Sequence, residues 1–408
     1  MPTAIVTGAT GINGREIIRA LGANPSQWTT VHALSRSQKE PYPSTVKHDT
    51  IDLTAPASEI ASQLSRAGIE GDYLFFTAYL QRDDEKEMDR VNGAMLQNFL
   101  AALRMSGAEK RLKRVVLTTG AKHYGVHLGP VKLPMEEDDP WVEEGEGRPV
   151  NFYYRQQRIL KEVSGDGTAG WDWVVTYPND VIGVAKGNFM NLTTALGLYA
   201  AVTKELNQPF LFPGNPDFYT GFDCFTYARL HAQFNLWAAL EPRASNQNFN
   251  VVNGDVQSWQ TLWPRLAERY GLSIPADQFS SGGQEVVEKT IPLSSNPPLN
   301  NQAANMGLQG RVPPGELRMR IDLAAWSQKP EVQEAWKRIA EREKVEKDAF
   351  EKATWFFTNF VLGRNYDLII SMNKARKLGW EGWWDTWDSL RTSLDELEEE
   401  GVLPRARK

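Results

Sequence analysis

Residues 3–14 read Thr3-Ala4-Ile5-Val6-Thr7-Gly8-Ala9-Thr10-Gly11-Ile12-Asn13-Gly14, and the order of residue types in this stretch decides the fold. Thr3 to Thr7 is a short apolar and β-branched run, the composition of a buried strand. From Arg15 to Leu21, Ile17, Ile18 and Leu21 fall on one face at helical spacing. Between strand and helix stand three glycines spaced G-x-x-G-x-x-G. In that context each has a mechanical task. Gly8 permits a tight turn, Gly11 lets backbone N–H groups approach a pyrophosphate, and Gly14 lets the helix lie close to the sheet with the positive end of its dipole toward the phosphates. The turn is expected to hold a dinucleotide, with Gly8, Thr10, Gly11, Ile12, Asn13 and Gly14 touching it.

Outward from this turn, short apolar runs alternate with helical stretches as far as residue 183. Strands are expected at Thr30 to Leu34, Val46 to Ile51, Asp72 to Thr77, Arg114 to Thr119 and Trp171 to Thr176, with a long helix at Asp89 to Leu103. Repeated βαβ units imply an α/β fold with a doubly wound parallel Rossmann sheet. The second strand ends in Ala33-Leu34-Ser35-Arg36-Ser37-Gln38-Lys39, without the carboxylate that would take a ribose 2′-hydroxyl. Arg36, helped by Ser35, can instead clamp a 2′-phosphate, so NADPH/NADP+ is favoured over NADH; the competing reading is a solvated arginine in a loop. Asp52 and Leu53, after the third strand, suit the adenine amino group and ring face, and Thr77, closing the fourth, is counted with the cofactor residues.

The full chain has 408 residues, 45 basic against 51 acidic side chains, a net charge of −6 and 41% hydrophobic residues. That is enough for a substantial core, and the mild acidic excess gives no basic face for nucleic acid or anionic membrane. No apolar run approaches the roughly 20 residues of a bilayer span, and the N-terminus reads directly into a strand, so a cytoplasmic location is expected. Cys224 is the single cysteine, which excludes an internal disulfide. Of the five histidines, His123 and His127 have i, i+4 spacing but fall at a strand end, so no metal is expected. No Gly-x-Ser-x-Gly elbow supports hydrolysis. The expected partner is a small-molecule substrate, with a homodimer left open.

Two segments look inserted. Residues 132–150 carry Glu136-Glu137-Asp138-Asp139-Pro140 and Glu143-Glu144-Gly145-Glu146-Gly147, which read as a solvated acidic loop. Residues 280–314 are rich in Ser, Asn, Gln, Gly and Pro and read as a long excursion or lid. From Pro330 to Leu362 a single apolar stripe is expected on helix; Trp380, Trp383, Trp384 and Trp387 have helical spacing, and Asp395 to Glu400 reads as a charged helix face or fraying end. The division expected is 1–183 as an NADP-binding core and 184–408 as a substrate-capping portion and helical tail, with some core elements returning within 210–260.

A Tyr-x-x-x-Lys motif is absent: Tyr153 is followed four residues later by Gln157, and Tyr154 by Arg158. Instead Thr119-Gly120-Ala121-Lys122-His123-Tyr124 ends a strand, and Asn151-Phe152-Tyr153-Tyr154 opens the helix after the acidic loop. These motifs, with Tyr199-Ala200-Ala201, Trp237-Ala238-Ala239 and Phe249-Asn250-Val251-Val252-Asn253-Gly254-Asp255, resemble those of the progesterone 5β-reductase and iridoid synthase-like branch of the short-chain dehydrogenases/reductases, with T-G-x-K-H-Y and N-F-Y-Y-x-x-E-D as its patterns. The resemblance implies an extended short-chain dehydrogenase with a smaller, mostly helical substrate-capping portion. It also implies Tyr153 and Lys122 as the catalytic pair, Pro178 and Val181 at the nicotinamide, and Tyr79, Phe189, Met190 and Asn191 at the substrate.

In that chemistry Tyr153 stabilises oxygen charge while the cation of Lys122 favours the tyrosinate. The activity implied is NADPH-dependent reduction of an activated C=C or C=O in a mid-sized apolar metabolite. The alternative is an NADP-binding protein that does not reduce, either a redox sensor or a scaffold for cyclisation or rearrangement. A nucleotide-sugar epimerase ranks third, since it would normally keep Tyr-x-x-x-Lys. Departures fall at Ala78, where the pattern has Trp; at Arg155-Gln156-Gln157-Arg158, read as an altered helix surface; and at Tyr177-Pro178-Asn179, where it has Arg-Pro-Gly.

Overall fold

Ile5 sits inside the main sheet, with His32 on one side and Leu74 on the other as register partners, and is fully buried. The computed structural model describes residues 1–38, 41–142, 148–186 and 190–406. Six strands follow in chain order: β1 (Thr3–Thr7), β2 (Thr30–Ser35), β3 (Val46–Thr50), β4 (Tyr73–Phe76), β5 (Arg114–Thr118) and β6 (Asp172–Pro178). The short β7 (Val181–Ile182) and β8 (Thr226–Tyr227) pair only with each other, and β9 (Gln247–Val251) returns to the main sheet. Its order is β3-β2-β1-β4-β5-β6-β9, and every neighbouring pair is parallel. Parallel strands need crossovers, and helices on both faces explain why β1 and β4 are apolar nearly throughout.

The crossovers are α1 (Ile12–Gly22), α2 (Ala57–Ala67), α3 (Glu85–Ser106) and α4 (Phe152–Ser164), followed by α5 (Leu192–Glu205), α6 (Pro216–Thr220), α7 (Ala228–Leu240) and α8 (Trp259–Tyr270). Helix α1 packs on α7, and α3 packs between α2 and α4. Two small antiparallel ladders come next, β10 (Ser280–Ser281) with β11 (Gln284–Glu285) and β12 (Lys289–Pro292) with β13 (Glu316–Met319). The tail holds α9 (Asn300–Ala303), α10 (Leu323–Trp326), α11 (Pro330–Glu343), α12 (Trp355–Leu362), α13 (Asn373–Lys377) and α14 (Thr386–Glu399). Among the described residues no helix is long and apolar enough to cross a membrane.

A seventh strand, β9, completes the sheet beside β6 and lies within the 210–260 stretch. Several other expectations are corrected. Helix α3 begins at Glu85, one turn before the expected Asp89, because the Asp84 side chain accepts from the Glu87 N–H. The apolar stripe of 330–362 is not one helix: Lys344 takes a left-handed φ of 57° and separates α11 from α12. The tryptophan stretch is not helical before Thr386. Gly379 takes a φ of 93°, and the Trp380 ring lies where a Cβ on Gly382 would be. Trp384 instead donates its backbone N–H to Asn253, while Asp255 accepts from the Thr386 hydroxyl at 2.8 Å. The segment from Phe249 to Asp255 thus anchors the tail.

The acidic 395–400 stretch neither frays nor faces water alone. Glu396 and Glu400 reach Arg15 and Arg19 of α1, and Glu398 holds Arg269 of α8 at 2.6 Å. Carboxylates at a helix C-terminus oppose its dipole, and these guanidinium groups offset that cost. The described part of the other acidic segment is also docked. Lys132 bonds Glu136 and Asp139, Met135 bridges to Ile370, and Trp141 stacks on Tyr154 at 4.5 Å. Residues 143–147 lie outside the described residues.

Candidate active site

The turn between β1 and α1 is built by missing side chains. Gly8 takes a φ of 70°, and a Cβ there would stand 2.9 Å from the backbone of Ala78, so Ala78 is tied to this turn. A Cβ on Gly14 would collide with the Gly8 carbonyl. The Gly11 N–H donates to Gly8 O at 3.0 Å, and Gly11 caps α1 without a side chain, leaving the first-turn N–H groups facing outward for an anion. Thr77 closes the cradle by donating its hydroxyl to Thr7 O at 2.7 Å. Thr10 is half-buried, Ile12 packs with Val181, Ala185 and Ala228, and Asn13 Oδ1 is buried without a hydrogen-bond partner among the described residues. A side-chain-free cradle and uncapped N–H groups are what a dinucleotide pyrophosphate requires.

On the strand next to the turn, Ser35 closes β2. Its hydroxyl donates to Ser37 O at 2.9 Å, so His48 Nε2, 2.8 Å away, is the donor onto Ser35. His48 stands on β3 and gives the sequence no motif to find it by. Arg36 is exposed. Asp52 is exposed too, and its Oδ1 accepts from the Thr54 hydroxyl and N–H at 2.7 and 2.9 Å. Those bonds, with Arg36's charge adding, hold its carboxyl below the usual range. Leu53 packs half-buried against the core.

Lys122 lies in a single 3-10 turn (Ala121–Tyr124) after β5, and Tyr153 is the second residue of α4. One buried side chain ties the two segments together. Asn151 accepts from the Tyr153 N–H at 3.1 Å and donates to Lys122 O at 2.9 Å. The Tyr153 hydroxyl lies against Gly120, 3.2 Å from where a Cβ would be, with Pro178 O equally close to that point. The Lys122 ammonium faces Glu85, the first residue of α3, at 2.7 and 2.8 Å to its two carboxylate oxygens, and lies 5.6 Å from the Phe152 ring centre. Among the described residues no hydrogen bond joins Lys122 to Tyr153.

Burial pushes the Tyr153 phenol above the usual tyrosine range, and Glu85's charge adds to it. Burial also pushes the Lys122 ammonium below the usual lysine range, against the pull of Glu85. Both shifts favour the uncharged forms, a protonated phenol and a neutral amine, with Glu85 opposing the second. Glu85 is the residue that sequence reasoning missed. The Asp84-x-x-Glu87 capping pattern could have found it by starting the helix earlier.

Tyr79 packs beside this wall, its ring 5.5 Å from Phe152 and its hydroxyl on Gln81 and Met88. Asn92 of α3 fixes that loop, bonding both the N–H and the carbonyl of Leu80 at 2.9 Å. Met190 is half-buried with a φ of 63°. Asn191 is employed as the cap of α5, accepting from the Thr194 N–H and donating to Ala185 O. Phe189 lies outside the described residues. The turn after Pro178 is pinned from afar: Arg364, 1% exposed, bonds Asp180 and lies near Asp223, while Asn179 donates to Asp223 and Cys224. Burial beside Asp180 pushes Asp223 well above the usual carboxylate range.

Two departures from the motif patterns meet in space. Gln157 is fully buried rather than on a helix surface; its amide oxygen accepts from the Tyr177 hydroxyl at 2.8 Å and its Nε2 donates to His123 Nδ1 at 3.2 Å. A neutral hydrogen-bonded pair therefore occupies the positions at which the pattern puts Glu and Arg. His123 stacks on Tyr177 at 4.3 Å, and burial pushes it down to about 3, so it is neutral. Arg155 reaches Asp89 at 2.8 Å.

Residues 51–304 match the model of the PRISE-like Rossmann-fold domain. An uncharacterised protein of Schizosaccharomyces pombe is 43% identical over 404 residues, covering 98% of each chain. A 3-oxo-Delta(4,5)-steroid 5-beta-reductase of Arabidopsis thaliana is 29% identical, and an (S)-8-oxocitronellyl enol synthase of Camptotheca acuminata is 28% identical; each match covers 98% of this chain and 93% of the relative. Among solved structures, Bordetella bronchiseptica WbmG in complex with NAD and UDP superposes with a TM-score of 0.59 at 13% identity, over 98% of this chain and 96% of that one. At that identity the likeness is one of fold.

Proposed function

We propose that this chain, which belongs to the PRISE-like Rossmann-fold family of the short-chain dehydrogenases/reductases, is an NADPH-dependent reductase of an activated C=C or C=O in a mid-sized apolar metabolite. The observation that carries the reading is Tyr153, a phenol kept protonated on a wall it shares with Lys122 and Glu85. The names of the steroid reductase and the enol synthase support the C=C form, a 1,4-addition to an enone or enal.

Gly8, Thr10, Gly11, Ile12, Asn13 and Gly14 would hold the pyrophosphate; Ser35 and Arg36 the 2′-phosphate; Asp52, Leu53 and Thr77 the adenosine side; and Pro178 and Val181 the nicotinamide. Bound there, the cofactor supplies a hydride. Tyr153 gives a hydrogen bond or proton to the substrate oxygen on which charge grows, and Lys122 lends positive charge to the same wall. Tyr79, Met190 and Asn191 would bound the substrate side. The 280–314 excursion supports a covering role, since Ser294 and Leu299 donate their N–H groups to Leu128 and Pro130 in the loop that follows Lys122.

The test is NADPH consumption across a panel of enones, enals and ketones, with deuterium from labelled NADPH located by mass spectrometry. The expected result is label on a β-carbon or a carbinol carbon and loss of turnover in Tyr153→Phe. Tight NADPH binding with no reduction anywhere in the panel would favour the non-reducing scaffold.

A further inference from the structure

Among the described residues the partners of the Lys122 ammonium, which is one-fifth exposed, are the Glu85 carboxylate and the face of the Phe152 ring. His127 is near enough to feel its charge, and its two ring nitrogens have no hydrogen-bond partner among the described residues. Burial and the charge of Lys122 both push His127 well below the usual histidine range, so it is neutral. Tyr79 and Tyr153, the titratable groups on the neighbouring loop and helix, are phenols raised by burial. The Glu85 carboxylate, bonding the ammonium with both oxygens, is the compensating charge. The pair is part-buried, its side chains 20% and 35% exposed, so removing the carboxylate leaves the ammonium less compensated and makes it easier for the lysine to give up its proton.

We propose that Glu85 is a positioning residue for the reductase site, keeping Lys122 charged and fixing its direction, so that an acid on α3 supports a pair contributed by the turn after β5 and by α4. The proposal rests on the assignment of Lys122 and Tyr153 made above. It also accounts for a feature the motif patterns leave unexplained. With Gln157 at the fourth position after Tyr153, the cation comes from another segment, and its direction has to be fixed by something outside both motifs. Asp84 does this indirectly by starting α3 where it does, and Glu85 does it by contact.

The test reads Lys122 itself, without a substrate. The full chain is pulse-labelled with acetic anhydride across pH, and acylation of Lys122 is followed by peptide mass spectrometry. In Glu85→Gln the labelling midpoint is expected to fall by about one pH unit or more, the size of shift a close opposite charge produces, and in Glu85→Asp to return most of the way. An unchanged midpoint in Glu85→Gln overturns the proposal, as does a midpoint in Glu85→Asp equal to that of Glu85→Gln. A parallel kcat/KM profile with an enone separates the two levels. Full activity in Tyr153→Phe would refute the reductase reading while the labelling result still decides Glu85. Loss of activity in Tyr153→Phe with an alkaline limb unmoved in Glu85→Gln would count against Glu85 alone.

Discussion

The glycine turn and the Tyr153 wall lie along one edge of the same sheet, yet they are made by opposite means. The turn consists of absences within a dozen consecutive residues, with Gly8 and Gly14 leaving room for backbone to meet backbone. The wall consists of contacts between segments distant in sequence: Glu85 with Lys122, and Lys122 through Asn151 with Tyr153. A site written into one short stretch can be read from that stretch. One assembled by tertiary contact depends on where each helix begins.

The largest expected effect falls on the turn. Gly14→Ala puts a methyl on the Gly8 carbonyl, and backbone has little room to yield. Dinucleotide affinity is expected to fall about a hundredfold or more, with a loss of about 1–3 kcal/mol in stability from overpacking, while acylation of Lys122 keeps its pH dependence. Fluorescence titration and urea melts check this. Retained affinity would mean that the turn is not the cradle.

Acid acts on the wall. His123, in contact with Tyr177 and Gln157, and His231, bonded to Thr176 of β6, are both buried and pushed down to about 3. The unfolded chain takes these protons near the ordinary histidine value of about 6.5, so between there and about 3 it binds more protons than the fold does. Stability is therefore complete above the ordinary value and is lost as pH falls, with each group costing about 2 kcal/mol between pH 7 and 5. Urea midpoints across that range measure the loss. A Gln at position 231 should flatten the slope, and a pH-independent midpoint would show that the two imidazoles are not buried neutral.

Smaller effects separate the two ends of the cofactor region from each other. Arg36→Ala is expected to lower the preference for NADPH over NADH about tenfold, the worth of one charge-assisted phosphate contact, with NADH binding unchanged. Ratios of the two dissociation constants decide it, and an unaltered ratio removes the 2′-phosphate clamp. Asn151→Ala should cost about 1 kcal/mol as a lost helix cap and lower turnover more than it weakens NADPH binding. Equal effects on both would make Asn151 a cap and nothing more.

The difference between the regions also explains what the sequence could show. Six strands were legible because a parallel strand covered on both faces is a run of apolar residues, and the glycine turn because its spacing has few other uses. Helix α3 was legible only from its apolar stripe, which leaves out the polar first turn carrying Glu85. Gln157 looked like surface because polar residues usually are; its burial depends on Tyr177 and His123, which arrive from two other elements. In the tail, spacing alone suggested one long helix and a helical tryptophan run, whereas Lys344 and Gly379 adopt left-handed conformations that periodicity does not register.

The ion pairs between α1 and the C-terminal end of α14 join residues 377 to 385 positions apart. During synthesis the glycine turn and its helix are made well before Glu396 and Glu400, the acids that Arg15 and Arg19 acquire. The βαβ unit that carries α1 must wait, partly secured, while the intervening residues are made, so its folding should be completed by a slow, late docking of α14.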